Sequence, residues 1–515
     1  MKNISVSLAD IAGEEYISSV CRASAFCGLG RFEELQTIAH EKVDFFPEEF
    51  QKKIDDLLPL CGQNVISPLA NSSGGAATAA FAAAFHREHA PLSGIGPFRL
   101  GEDGILSLIG KSEHYQASLG HNFPGGKLLI NAQRIGILNA THNNTRGHLT
   151  RLLEKELVRI ANGIAPGDEE ALAKVLSSTA PHVLNRVINL ETGSLACEAA
   201  VKMMLARFYK LQPHLPEPPY AGKTPVFLVM QDFKGGKEAN YHGTTVLTQM
   251  MRGMWQEPYN VMEKENILRV VPVRINDLDD FKKAVADFDT GSFKIAGFIH
   301  ELVLMNYGAV ALTEEYIRET DAICHKHDIP VFVDEIQSCM WSDKLLMFKE
   351  YNSTPDFVSI GKGFPAGFYP ASKMLTTAAM DNLNLFGALV TNGQEELASL
   401  ANLITIRFIE HNREHLSAIS AQWQQGLARL AQKHAQKIER VAGRGLLTAL
   451  VFSDTEQAVL FGKKLGSLYR IDAGVQTYKA DCPPAVLNKL PLISSPQVVD
   501  FVLNAMDQIL TEEIL

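Results

Sequence analysis

Residues 331–340, VFVDEIQSCM, and residues 357–367, FVSIGKGFPAG, constrain this chain more than any other stretch. Each begins as an apolar run rich in Val, Phe and Ile, the pattern of a strand buried on both faces of a parallel sheet. Each run ends on a polar side chain, and open α/β sheets build their sites at the carboxyl ends of their strands. One strand thus delivers the carboxylate of Asp334, and a nearby one delivers the amine of Lys362, 28 residues further on. Either residue alone reads as ordinary, a buried acid or a surface lysine. Together, with the flanking glycines, they are the minimum equipment for pyridoxal phosphate: an amine to form a Schiff base and an acid to keep a pyridine nitrogen protonated. A protonated ring takes up the charge left when a bond at an amine-bearing carbon breaks.

Other runs extend the pattern. Residues 226–230, 295–300, 331–333 and 357–360 read as strands with helical stretches between them, which predicts an α/β fold with a mostly parallel sheet flanked by helices. Residues 150–164 have the spacing of an amphipathic helix, 381–393 read as loop, and a long helix begins at Glu395. Beyond it a smaller α/β unit is expected, with a strand over 446–452. Near the start, 31–39 and 48–60 carry apolar residues at helical spacing, and the alanine-rich 76–85 suits close helix packing. The expected organisation is a helical extension over 1–96, a large domain over 97–390 and a smaller C-terminal domain over 391–515. The extension is expected to cover a dimer interface or the site entrance, as a stabilising appendage rather than a regulatory domain.

Bulk properties narrow the class. A chain of 515 residues buries a substantial core, and 46% hydrophobic with 21% charged residues is ordinary for a globular protein. The net charge of −10 argues against a nucleic-acid binder, which would show a basic face. The longest apolar run, 76–85, is far short of the ~20 residues that span a membrane. The start, MKNISVSLADIAGEEY, has neither a basic patch nor an apolar leader core. Seven cysteines without paired CxxC spacing read as reduced thiols, so a cytoplasmic location is expected. Cys324-His325-Lys326-His327 has the residue types of a metal site, but it falls at an expected helix end just before a strand; no metal is expected. Cys339 reads as a buried structural thiol.

Several blocks carry one resemblance. Asp334-Glu335-Ile336-Gln337 and Lys362-Gly363-Phe364-Pro365-Ala366-Gly367 are joined by Leu119-Gly120-His121-Asn122-Phe123-Pro124, by Thr192-Gly193-Ser194-Leu195-Ala196-Cys197-Glu198-Ala199-Ala200 and by Asn240-Tyr241-His242-Gly243-Thr244-Thr245. His300-Glu301 with Asn306 and Gly308, and then Gly443-Arg444-Gly445-Leu446, complete the series. In this order they resemble the class III aminotransferases, fold-type I pyridoxal phosphate enzymes, over residues 97–510.

The resemblance implies transfer of an amino group between a primary amine or amino acid and a keto acid or aldehyde. It implies Lys362 as the Schiff-base lysine and proton carrier, Asp334 as the pyridinium partner, and Gln337 near the phenolic oxygen. Ile336 and Tyr241, with His242 beside it, are expected on opposite ring faces. Gly193-Ser194 ahead of a helix suits the phosphate, through close backbone approach and the N–H groups of the helix start. Thr391 resembles the threonine that reaches the neighbouring subunit's phosphate, which implies a homodimer with shared sites. Glu301 and Arg444 are the substrate-side candidates.

The chain also departs from the family pattern. Leu195 stands for the usual glutamate, Thr244 for arginine and Leu302 for proline. The late R-x-x-P-P-L, whose arginine commonly binds a substrate carboxylate, has its nearest counterpart in Leu487-Asn488-Lys489-Leu490-Pro491-Leu492, with leucine at the arginine position. Either the substrate lacks that carboxylate, or Arg444, Arg470 or Arg146 serves it instead. The same scaffold also suits racemisation, decarboxylation or elimination, and a non-catalytic binding role is a more distant reading.

Overall fold

The computed structural model describes residues 1–140 and 145–512, and its first part folds around helices Glu14–Phe26 (α1), Phe32–His40 (α2) and Glu48–Leu57 (α3). Phe50 and Ile54, four apart on α3, face inward as their spacing requires. Ser5–Val6 pairs with Val43–Asp44, and the fully buried ring of Phe45 meets Phe123 and Phe408 at 5.7 and 6.3 Å. The start of the chain is therefore part of the main core. The alanine-rich stretch differs from expectation: only Ala79–Ala83 is helical, with Phe81 and Phe85 exposed to 76% and 60%. One turn of alanine buries little apolar area, and so short a helix falls below the ~12 residues at which a helix holds itself together. Pro91–Ile95 pairs with Phe98–Gly101, so a hairpin crosses the position where the extension was expected to end.

Helix His148–Ala161 (α4) leads to a seven-stranded sheet formed by Leu184–Leu190 (β1), Thr224–Met230 (β2), Arg269–Val273 (β3), Phe293–His300 (β4), Val331–Asp334 (β5), Phe357–Ile360 (β6) and Ser372–Thr377 (β7). The order is β1-β7-β6-β5-β4-β2-β3, and β7 alone runs antiparallel to its neighbours. Every residue of β2, β5, β6 and β7 is buried, as strands covered on both faces must be. The register is what matters for the site. Asp334 lies opposite Ser359, and Val333 lies opposite His300, so Asp334, Glu301 and the turn holding Lys362 emerge together from adjacent strand ends.

Helix Gly193–Leu205 (α5) follows β1 and lays small residues, Ala196, Ala199 and Ala200, against the sheet. Helix Glu396–His411 (α6) is buried along most of its length. Its Glu396 carboxylate accepts the N–H groups of Leu149 and Thr150 at 2.9 and 3.0 Å, capping α4 with a charge that suits the helix dipole. After helix Arg413–Lys433 (α7) comes an antiparallel sheet of Ile438–Arg444 (β8), Leu447–Phe452 (β9), Gly474–Gln476 (β10) and Ala485–Asn488 (β11), in the order β8-β9-β11-β10. Helix Thr455–Leu468 (α8) packs on this sheet, and helix Pro496–Thr511 (α9) packs on α7 and α8. Among the described residues no helix is long and apolar enough to cross a membrane.

Candidate active site

A cavity of about 270 Å³ opens where β1, β5 and β6 end. Asp334, Ile336, Gln337 and Lys362 line it from the sheet, Gly193 and Ser194 from the start of α5, and Tyr241 and His242 from the loop after β2. Eight of the residues singled out in the sequence thus face one space.

Asp334 is buried, yet four donors reach its carboxylate. Oδ2 accepts His242 Nδ1 at 2.8 Å and Cys197 Sγ at 3.3 Å; Oδ1 accepts Ser359 Oγ at 2.7 Å and the Ile336 N–H at 3.1 Å. Burial works against the charge, but the hydrogen bonds and the charge of His242 outweigh it and hold the carboxyl below its ordinary range. Lys362 follows β6 in a left-handed conformation, φ 38°, that turns it into the cavity instead of continuing the strand. Burial lowers its pKa, against the pull of Glu301 and Asp334.

At the head of α5, Thr192 caps no N–H group with its side chain, which leaves the first turn open to an anion. Gly193 is required there, because a Cβ would sit 2.9 Å from Ile336 Cδ1 and Cγ1. Gly243, with φ 120°, brings its chain against Ser194, whose Oγ accepts the Thr244 N–H at 3.1 Å. Arg252 lies over the Tyr241 ring at 5.1 Å.

Glu301 is buried beneath these residues and accepts Gln337 Nε2 at 3.1 Å, while its Oε1 and Gln337 Oε1 have no partner among the described residues. Burial and then the nearby Asp334 charge push the Glu301 carboxyl well above its ordinary range, with Lys479 and Lys362 opposing. Lys479 Nζ is also shielded and without a partner among the described residues, and burial, reinforced by Arg252, lowers it to about 8.

Two predicted residues lie elsewhere. Arg444 stands outside the cavity, held by Glu350 at 2.7 Å and Glu314 at 2.8 Å, because the β8–β9 turn carries it to the acidic helix start at Glu314. Thr391 is exposed and does not line the cavity of its own chain. The other two arginines considered are likewise engaged by carboxylates, Arg146 by Glu154 at 2.7 Å and Arg470 by Asp103 at 2.9 Å. Leu487, at the position of the family arginine, is buried in β11. His325 stacks on His182 at 3.6 Å while His327 turns to Asp289, so the two do not converge. Sequence reasoning missed Cys197 and Ser359 as donors to Asp334. Cys197 stood inside a recognised block, but only the helix phase of α5 and the β5–β6 register reveal what the two side chains touch.

The cavity suits pyridoxal phosphate on its own chemistry: a buried carboxylate kept ionised, a desolvated amine, and an uncapped helix start three residues behind Ala196. Comparison with known proteins agrees. The aminotransferase class-III family matches residues 135–510. The adenosylmethionine-8-amino-7-oxononanoate aminotransferase of Buchnera aphidicola is 24% identical over 254 residues, 46% of this chain and 55% of that one. The chain spans about half the length of the curated relatives it matches first. The crystal structure of the like-named enzyme from Methanocaldococcus jannaschii superposes with a TM-score of 0.64 at 20% identity, covering 82% of this chain and 93% of that one. An ornithine aminotransferase from Toxoplasma gondii, in which pyridoxal phosphate partly occupies the active site, gives a TM-score of 0.61 at 19% identity, covering 82% and 91%. At such identities the likeness is one of fold. With the family matched over most of its length, the chain belongs to the class III aminotransferases, fold-type I enzymes whose cofactor is pyridoxal phosphate.

Proposed function

We propose that this chain is a pyridoxal phosphate-dependent aminotransferase, with Lys362 as its Schiff-base lysine and Asp334 as the partner of the ring nitrogen. The observation that carries the reading is the pairing in one cavity of an Asp334 carboxylate with four donors and a desolvated Lys362 amine. When bound, the cofactor supplies an electron sink for charge left at the substrate's amine-bearing carbon. The chain's own residues do the rest. Gly193 and Ser194 at the start of α5 would hold the phosphate, Ile336 and Tyr241 would hold the ring, and Gln337 would serve its phenolic oxygen. His242 and Ser359 hold Asp334 in place and charged. Lys362 Nζ would take up the proton that leaves the amine-bearing carbon, a role that needs a free amine at neutral pH.

The substrates are a primary amine or amino acid as donor and a keto acid or aldehyde as acceptor. Because carboxylates hold Arg444, Arg470 and Arg146 away from the cavity, and Arg252 is taken up over the Tyr241 ring, the donor favoured is one whose reacting carbon bears no carboxylate, such as a terminal amine. Glu301, beneath Gln337, is the substrate-side acid. The exposed Thr391 is available to a second copy, and the active unit is a homodimer in the cytoplasm. Racemisation, decarboxylation and elimination use the same Asp334 and Lys362, so the test must separate them. The purified chain is titrated with pyridoxal phosphate and then with a panel of amines and amino acids, followed by visible absorption. A donor that bleaches the visible band, with a keto acid restoring it, supports the proposal. A band that no donor bleaches moves the other chemistries ahead, and no band at all defeats the enzyme reading.

A further inference from the structure

Lys489 is fully buried one residue beyond β11, and its surroundings are unusual for a lysine. Its Nζ lies 3.6 Å from the centre of the Trp341 ring and 4.0 Å from that of Tyr115, and it donates a hydrogen bond to the Gln337 carbonyl. The other face of the problem is Lys362, whose Nζ lies 5.2 Å from the same Tyr115 ring. One phenol ring therefore serves two amines, Lys489 fully buried and Lys362 partly buried at the wall of the cavity. Among the described residues the Lys362 amine has no hydrogen-bond partner. Lys489 has a carbonyl acceptor and two aromatic faces, each of which favours a cation.

The chain is fixed around this arrangement. The Lys489 N–H donates to the Gly110 carbonyl at 2.8 Å, Ser112 Oγ donates to the Lys489 carbonyl at 2.5 Å, and Trp341 Nε1 donates to the Leu490 carbonyl at 3.1 Å. Ser112 to Tyr115 all have positive φ, between 45° and 76°, a strained turn that presents the Tyr115 ring to both amines.

We propose that Lys489 is a positioning residue for Lys362: its boxed ammonium holds the one proton this buried pair can keep, so that Lys362 is presented as a free amine. The inference rests on the reading of Lys362 given above, since a free amine is what both cofactor attachment and proton removal require. Two like charges on either side of one ring do not both persist: burial pushes both amines down and Lys362 pushes Lys489 down further, while the Gln337 carbonyl and two closer aromatic faces favour the proton on Lys489. The groups facing the pair are Glu301 and Asp334, which favour a cation; His114, held uncharged at about 4 mainly by burial; and the buried Cys339 thiol and Tyr115 phenol, both pushed up by burial. Glu301 is itself driven towards its neutral form, which leaves a single firm negative charge, Asp334, and that charge is already committed to His242.

The test is the pH dependence of Lys362 acylation in the full chain without added cofactor, by competitive labelling with acetic anhydride and mass spectrometry. Wild type should half-label below the ordinary 10.5 of a lysine. Lys489→Met should raise that midpoint by ~1 or more, lowering reactivity near neutral pH ~10-fold. Lys489→Arg, which keeps the charge, should restore the wild-type midpoint. An unchanged midpoint in Lys489→Met overturns the proposal. If neither variant folds, a wild-type midpoint near 10.5 overturns it unaided. Parallel addition of pyridoxal phosphate separates the two readings: a shifted midpoint with no visible band in any form would keep the Lys489 effect and sink the function above.

Discussion

Replacing Asp334 with asparagine tests the centre of the site, because it removes one charge and almost no volume. The amide oxygen can keep Ser359 Oγ and the Ile336 N–H, which both reach Oδ1. Its NH2 must then face Cys197 Sγ and His242 Nδ1, which both donate to Oδ2 in the wild type. Two charge-assisted hydrogen bonds are lost, at ~1.5–3 kcal/mol each before relaxation. His242 recovers one if Nδ1 gives up its proton and accepts from the amide, but Nε2, which then carries the ring's proton, is buried with no partner among the described residues, so the gain is partial. The net loss of stability is ~2–3 kcal/mol, read as a lower urea midpoint at unchanged slope. Function falls further, because a carboxylate in contact shifts a partner's pKa by ~1–3, and each tenfold loss of ring protonation is ~1.4 kcal/mol. Single-turnover reaction with a donor amine, followed by absorption, should slow ~10- to 1000-fold while cofactor still binds. Asp334→Asn turning over within ~2-fold of wild type would refute the argument that the buried charge drives the chemistry.

Three other perturbations separate structure from function. Gly193→Ala should weaken cofactor affinity and cost ~1–3 kcal/mol in stability, since its Cβ meets Ile336 at 2.9 Å; equilibrium dialysis and urea melts check both. Arg444→Met should leave donor selectivity intact, because its partners are Glu314 and Glu350; a changed amine profile in steady-state assays would restore it to the substrate side. Glu335 is fully buried against the Met347 and Phe348 N–H groups, and burial raises it from 4.5 to about 7. Its folded value is the higher one, so its contribution is complete below pH 4.5 and fades as pH rises through about 7, by ~3 kcal/mol in all. Urea midpoints between pH 5 and 8 should fall more steeply in wild type than in Glu335→Gln, and parallel slopes would contradict the assignment.

What could be read in advance follows from how each feature is encoded. The strands at Val331–Asp334 and Phe357–Ile360 were legible because both faces are buried and apolar identity alone marks them. Ser372–Thr377 escaped because its buried Ser, Lys and Thr residues look like surface, and only its place between β1 and β6 makes it a strand. The same division runs through the site. Lys362, Asp334 and Gly193 announce themselves, since each has something few residue types offer in its place: an amine after a buried strand, a charge kept in the interior, or room for Ile336 where a Cβ would stand. Cys197, Ser359 and Lys489 do not, because their contribution is a contact, and contact is set by register, helix phase and the return of the chain 377 residues later, when the Lys489 carbonyl meets Ser112. Arg444 marks the converse case. Its motif was visible, but a guanidinium goes to the nearest well-placed carboxylates, and Glu314 and Glu350 are closer to it than the cavity is. A sequence names the groups that carry chemistry; which charge each of them ends up serving is decided only when the fold sets the distances.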